Sequence, residues 1–283
     1  MALYLLSDAM TTPISSRAES LALIQNLQNI PTLPDRFLKI RDVISDSHSS
    51  SNDLSDIIET DIATSSTILK IANSVSYNPH GRPLSSLPRA IARLGVTTSS
   101  EIAMSMSLLQ IFTTPTSVNR VHALWAHCYA VGMISKHFYQ RLKTPLTTQI
   151  STVFMMGLLH DIGQVILATH VDQGYFDRDF PPLHGKDLCD AEQALYGTDH
   201  TEAGAIVMDR WGLPDILVQS TLNHHKHSTD TASKLCELAR LFVSQHWPNL
   251  QHIEEVHQLL RYSPASKIDD ILQISPILQG HLA

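Results

Sequence analysis

Gly157-Leu158-Leu159-His160-Asp161-Ile162-Gly163 is the stretch on which the reading of this chain turns. A His and an Asp stand side by side inside an apolar run, roughly Ile150 to Thr169, whose spacing predicts a helix. Polar groups are costly there unless something satisfies them. Helical side chains lean toward the preceding turn, so Gly157 is expected to leave room beside His160 and Asp161 for a metal or a buried polar network. More histidines surround the pair: His127 on the preceding predicted helix, His200 at a helix start, and His224-His225 at a helix end. Imidazole and carboxylate together suit a divalent transition metal, which can acidify a water for attack on a phosphate. Each residue also has a plainer explanation. A lone inward His is usually a core residue bonded to a carbonyl, and His224-His225-Lys226-His227 could be a solvated helix end whose partial negative charge favours cations. As a set, the positions are read as a buried cluster. His122, His137, His170, His184, His246, His252 and His257 are read as surface residues.

The surrounding sequence is helical in period. Asp35 to Ser45 forms a helix after Pro34, and Asn52-Asp53 supplies caps for a short helix carrying Leu54, Ile57 and Ile58. Another helix carries Ile68, Leu69, Ile71 and Ala72. Residues 78–83 form a loop, and Pro88 suits the first turn of a helix stopped by Gly95. Glu101 to Phe112 closes this half, with Thr113-Thr114-Pro115-Thr116 as the joint. A long helix from Val118 to Leu142 then places Leu124, His127, Val131, Ile134 and Phe138 on one face. Asp199 with Glu202 opens a helix ending at Trp211-Gly212, Leu213-Pro214 opens the next, and Ala232 to His246 follows. The tail carries Val256, Leu259 and Leu260. The expected organisation is an N-terminal helical subdomain over 20–114, a helical bundle over 118–247 and a helical tail over 248–283.

Composition narrows the function. Lys and Arg number 20 against 27 Asp and Glu in 283 residues, a formal net charge of −7, which argues against a nucleic-acid partner. Cys128, Cys189 and Cys236 are odd in number and widely spaced, as expected for reduced thiols in the cytoplasm. The first residues have no basic n-region of a signal peptide, and no stretch is read as approaching the ~20 apolar residues of a membrane span.

An ordered set of motifs resembles the HDOD (HD-related output domain) proteins, a branch of the HD superfamily of metal-dependent phosphohydrolases. The match is carried by Ile30-Pro31-Thr32-Leu33-Pro34, Ile62 to Asn73, and Leu87-Pro88-Arg89-Ala90-Ile91-Ala92-Arg93-Leu94-Gly95. It continues through Leu124-Trp125-Ala126-His127, the His160-Asp161 run, Asp199-His200-Thr201-Glu202-Ala203-Gly204, Trp211-Gly212-Leu213-Pro214 and His224-His225. The resemblance implies an all-α fold with an N-terminal helical subdomain packed on an HD-like helical bundle. It also implies a bacterial signalling role, generally without turnover. Active HD enzymes ligate metal with a His, a His-Asp pair and a later Asp, positions that fall on His127, His160, Asp161 and Arg240.

Arg240 departs from that pattern: a guanidinium has no lone pair for a metal and is always charged. Gln164 also stands where related cyclic-di-GMP phosphodiesterases carry Lys, and no Gly-Tyr-Pro follows His224-His225. Glu237, one turn before Arg240, is expected on the wet side of its helix and not as a substitute ligand. The expectation is a signalling module with a degenerate metal site and no cofactor, in which an Asp161–Arg240 ion pair replaces the metal. Its partners would be signalling proteins, with a nucleotide or cyclic dinucleotide as a possible ligand, and no nucleic acid or membrane. The alternative is a metal-dependent phosphohydrolase acting on nucleotides or cyclic dinucleotides. A divalent transition metal would then be held by His127, His160, Asp161, His200, His224 and His225, with Arg240 or Lys226 on substrate oxygens.

Overall fold

Capping side chains open several of the helices, at Ser50, Asp61, Asp199 and Asp230. The structure, a computed structural model, describes residues 32–45, 48–112, 118–142, 146–177, 185–226 and 230–262, and every regular element among them is a helix. Helix α1 (Asp35–Ser45) follows Pro34, and α2 (Ser51–Ile58) begins at Ser50. Its cap is therefore Ser50 and not Asn52: the Ser50 side chain accepts the Asp53 N–H while Asp53 accepts the Ser50 N–H, a reciprocal capping box. Asp61 caps α3 (Ile62–Ala72) by accepting from Ala63 and Thr64, and Arg36 pairs with the same carboxylate at 2.7 Å. Pro88 lies in the first turn of α4 (Leu87–Leu94), which stops at Gly95 with φ of 88°. Helix α5 (Val96–Phe112) starts five residues before the expected Glu101. The joint at Thr113-Thr114-Pro115-Thr116, Ile30-Pro31, His184 and the tail beyond residue 262 lie outside the described residues.

The second half opens with α6 (Val118–Tyr139), which packs along α7 (Ile150–Leu159). A Cβ on Gly157 would lie 2.4 Å from the Gly132 backbone nitrogen. Gly157 therefore admits helix α6, and the room expected there for polar side chains is filled by backbone. The expected helix from Ile150 to Thr169 breaks at His160-Asp161. It resumes as α8 (Ile162–Ile166) and widens into a π-helical turn at Leu167–Val171. Ile150–Val171 has the length and hydropathy of a membrane span, which the sequence reading overlooked, but 72% of its apolar window is buried inside the fold.

Four more helices follow: α9 (Lys186–Tyr196), α10 (His200–Arg210), α11 (Asp215–Asn223) and α12 (Thr231–His246). Asp199 caps α10, as its spacing to Glu202 suggested, although the Glu202 carboxylate accepts from Thr198 Oγ1. Helix α12 packs on α6 and α7, and α13 (Ile253–Tyr262) reaches back to α3 and α6. One apolar cluster runs through both halves, from Phe37 and Ile40 through Trp125 and Phe138 to Phe242 and Val256.

Candidate metal centre and its pocket

The break between α7 and α8 builds the site. His160 ends the first helix, and Asp161 (φ −104°, ψ 13°) turns out of helical geometry before Ile162 resumes it. Gly163 lets this corner meet α10: a Cβ there would stand 1.8 Å from the His200 carbonyl oxygen. His160 and His200 are fully buried, and Asp161 and His224 nearly so.

Each of three imidazoles is tied down at Nδ1. His160 donates to the Gly157 carbonyl at 2.7 Å, His224 to the Thr221 carbonyl at 2.7 Å, and His200 to Glu192 Oε2 at 2.6 Å. With the proton on Nδ1, a neutral imidazole presents a lone pair at Nε2. All three Nε2 atoms converge on one carboxylate: His160 lies 3.1 Å from Asp161 Oδ2, and His200 and His224 lie 3.4 and 3.2 Å from Oδ1. His225 Nε2 is 3.0 Å from His200 Nε2, and the His127 ring lies 5.4 Å, centre to centre, from that of His160.

Burial and charge sort these groups. Burial works against the Asp161 carboxylate, but the facing imidazoles, His160 first, hold its pKa well below the usual range. Burial lowers His224 to about 4, and burial aided by the neighbouring His224 lowers His225 to about 2. His200 is raised: burial opposes its charge, but Glu192 on one side and Asp161 on the other outweigh it.

The donor set suits a divalent transition metal. Ligand atoms of Asp161, His200, His224 and His225 lie within 4.8 Å of one another, as do those of His127, His160 and Asp161. Gly157, Glu192 and Thr221 fix the ring tautomers from outside, as acceptors behind metal-binding histidines do. His160 Nε2 and Asp161 Oδ1 are buried without a hydrogen-bond partner. The first set offers four ligand atoms, whereas the second offers three among the described residues.

Arg240 lines the same pocket, but the expected Asp161–Arg240 ion pair is not formed among the described residues. Three imidazoles already surround the Asp161 carboxylate, while Arg240 Nε is buried with no hydrogen-bond partner. Glu237 pairs with Lys234 at 2.7 Å and is largely covered, not on a wet face as expected; it is absent from the pocket lining. The pocket, about 340 Å³, is bounded by His127, Asp161, Gln164, His225, Arg240 and Trp247 among others.

The sequence reading missed Glu192 and Tyr175. Glu192 is fully buried, accepting the His200 N–H at 2.9 Å with the oxygen that holds Nδ1, and accepting the Tyr175 hydroxyl with the other. Its available signal was the inward spacing Leu188, Glu192, Tyr196, which puts a carboxylate on the buried side of α9.

The comparisons with known proteins agree with this architecture. The HDOD domain family model matches residues 30–227. An HDOD domain protein of unknown function from Geobacter sulfurreducens superposes with a TM-score of 0.63 at 22% identity, covering 90% of this chain and 89% of its own. A Shewanella amazonensis SB2B protein, provisionally named a metal-dependent phosphohydrolase, gives 0.57 at 18% identity, covering 93% and 91%. A Marinobacter aquaeolei VT8 protein, provisionally named a signal transduction protein, gives 0.63 at 17% identity, covering 95% and 66%. In sequence, an uncharacterized protein of Treponema pallidum (strain Nichols) is 24% identical over 221 residues; the match takes in 76% of this chain and about 40% of that relative's length.

Proposed function

The chain belongs to the HDOD family, and from that premise we propose that it is a non-catalytic signalling module that works through binding. The observation that carries this reading is Arg240. It lines the same pocket as His127 and Asp161, at the sequence position where the resemblance puts the closing Asp of active HD enzymes, and its fixed positive charge opposes a cation there. The proposed setting is the bacterial cytoplasm, in keeping with three cysteines that form no disulfide. The proposed partners are signalling proteins.

One observation favours the alternative, a phosphohydrolase acting on nucleotides or cyclic dinucleotides. Asp161, His200, His224 and His225 form a full ligand set that does not need position 240. A divalent metal bound there would polarise a phosphate oxygen and make a water more acidic. Glu192 would hold His200 in its ligating tautomer, and Arg240 would orient a phosphate.

The test is phosphate release from nucleotides, and opening of cyclic di-GMP to the linear dinucleotide, by the full chain supplied with manganese, iron(II) or zinc. No turnover is expected. Hydrolysis that disappears in Asp161→Ala, which removes the ligand common to both residue sets, would establish the enzyme instead.

A further inference from the structure

Arg240 and Ser244 follow one another at helical spacing near the end of α12, Trp247 caps it, and all three line the pocket. The chain then turns, and Asn249, Leu250 and Gln251 add a second wall. We infer that this pocket is a receptor site for a small organic oxyanion, a phosphate or carboxylate, anchored by Arg240. The inference rests on the binding-module reading and gives that module a class of ligand.

A guanidinium keeps its charge at any physiological pH, so burying part of it without a partner is costly. Arg240 Nε is buried and accepted by nothing, and no described carboxylate lies within ion-pair distance of its side chain. Arg36, by contrast, pairs with Asp61 at 2.7 Å. Among the described residues, the one carboxylate lining the pocket is Asp161, and it is already surrounded by three imidazoles. The fold therefore keeps a cation beside a cavity of about 340 Å³, within the size range of small-molecule sites.

The rest of the lining suits the same class. Gln164, Ser244, Asn249 and Gln251 carry neutral donors for further oxygens, while Leu124, Trp247 and Leu250 offer apolar surface to an organic body. The planar fork of Arg matches two oxygens of one carboxylate or phosphate, which a lysine cannot do.

The test is calorimetric titration of the full chain, in buffer free of phosphate and carboxylate, with inorganic phosphate, malonate and AMP. Each is run with chelator and again with manganese. Saturable binding of at least one probe is expected, weakened at least about tenfold in Arg240→Gln and less in Arg240→Lys. Binding of phosphate and AMP alone identifies a phosphoryl ligand, and binding of malonate alone a carboxylate. Failure of all three to bind, or equal binding by Arg240→Gln, overturns the inference and leaves the non-catalytic reading standing. Arg240-dependent binding of AMP accompanied by phosphate release upholds the inference while defeating the non-catalytic reading. If Arg240→Gln does not fold, Arg240→Lys decides: undiminished binding there refutes the bidentate anchor, and weakened binding upholds it.

Discussion

His257 has both ring nitrogens engaged, Nδ1 3.0 Å from the Tyr77 hydroxyl and Nε2 2.9 Å from that of Tyr129, with only 3% of the residue exposed. One hydroxyl donates to the lone pair of the neutral ring and the other accepts its N–H. Burial, aided by Lys136 and opposed by Glu254, lowers the pKa to about 4. The unfolded chain therefore binds a proton that the folded ring refuses. The resulting stability is complete above the ordinary His pKa of 6.5 and is lost as pH falls toward 4, at up to about 1.4 kcal/mol per pH unit. His257→Leu should cost about 1–3 kcal/mol at pH 7.5 by stranding two hydroxyls. It should also flatten the pH dependence of denaturant unfolding between those pH values; a parallel curve for the variant would refute the assignment. The sequence reading placed His257 on the surface, and the structure overturns that: α13 turns the imidazole inward onto partners that lie 180 and 128 residues away in the chain. His160, Asp161, His200 and His224 were legible because their local motifs set them apart. The identity of Arg240 was equally plain, but its failure to pair with Asp161 depends on three imidazoles arriving first.

Helices were legible as elements wherever caps and prolines marked their ends, as with Asp199 before α10 and Pro88 in α4. The break at His160-Asp161 was not, because apolar residues continue on both sides and the interruption comes from tertiary contact. Gly163 is the point of that contact, where α8 meets the first turn of α10. Gly163→Ala would drive a Cβ to 1.8 Å from the His200 carbonyl and 2.7 Å from the Gly204 nitrogen, both backbone atoms unable to rotate away. The two helices must separate, which should cost at least about 3 kcal/mol, the upper end of ordinary overpacking. The same displacement moves His200 from Asp161 and should weaken any gain in melting temperature on adding manganese or zinc. An unchanged unfolding midpoint in the apo variant would show that the helices do not approach as described.

Across the whole molecule, polar contacts reinforce the shared apolar cluster where the two halves meet. Trp125 Nε1 donates to the Ser105 carbonyl at 2.8 Å, Lys70 meets Glu254 at 2.9 Å, and Lys136 on α6 pairs with Glu101 on α5 at 2.5 Å. The Lys136–Glu101 pair is the buried one, with side chains 13% and 3% exposed. Burial raises the Glu101 pKa and Lys136 opposes the rise, while Glu101 Oε2 has no hydrogen-bond partner. Such a pair contributes little net stability when intact, but removing one member leaves an uncompensated charge. Lys136→Met should therefore destabilise the protein by about 3–5 kcal/mol, whereas Lys136→Met combined with Glu101→Leu should recover most of that loss. Because the apolar cluster is continuous through both halves, the loss should appear as one cooperative transition moved to lower denaturant. Two separated transitions in Lys136→Met would instead mean that this contact alone couples the halves. A double variant as unstable as the single one would show that the pair itself, and not the stranded carboxylate, carries the energy.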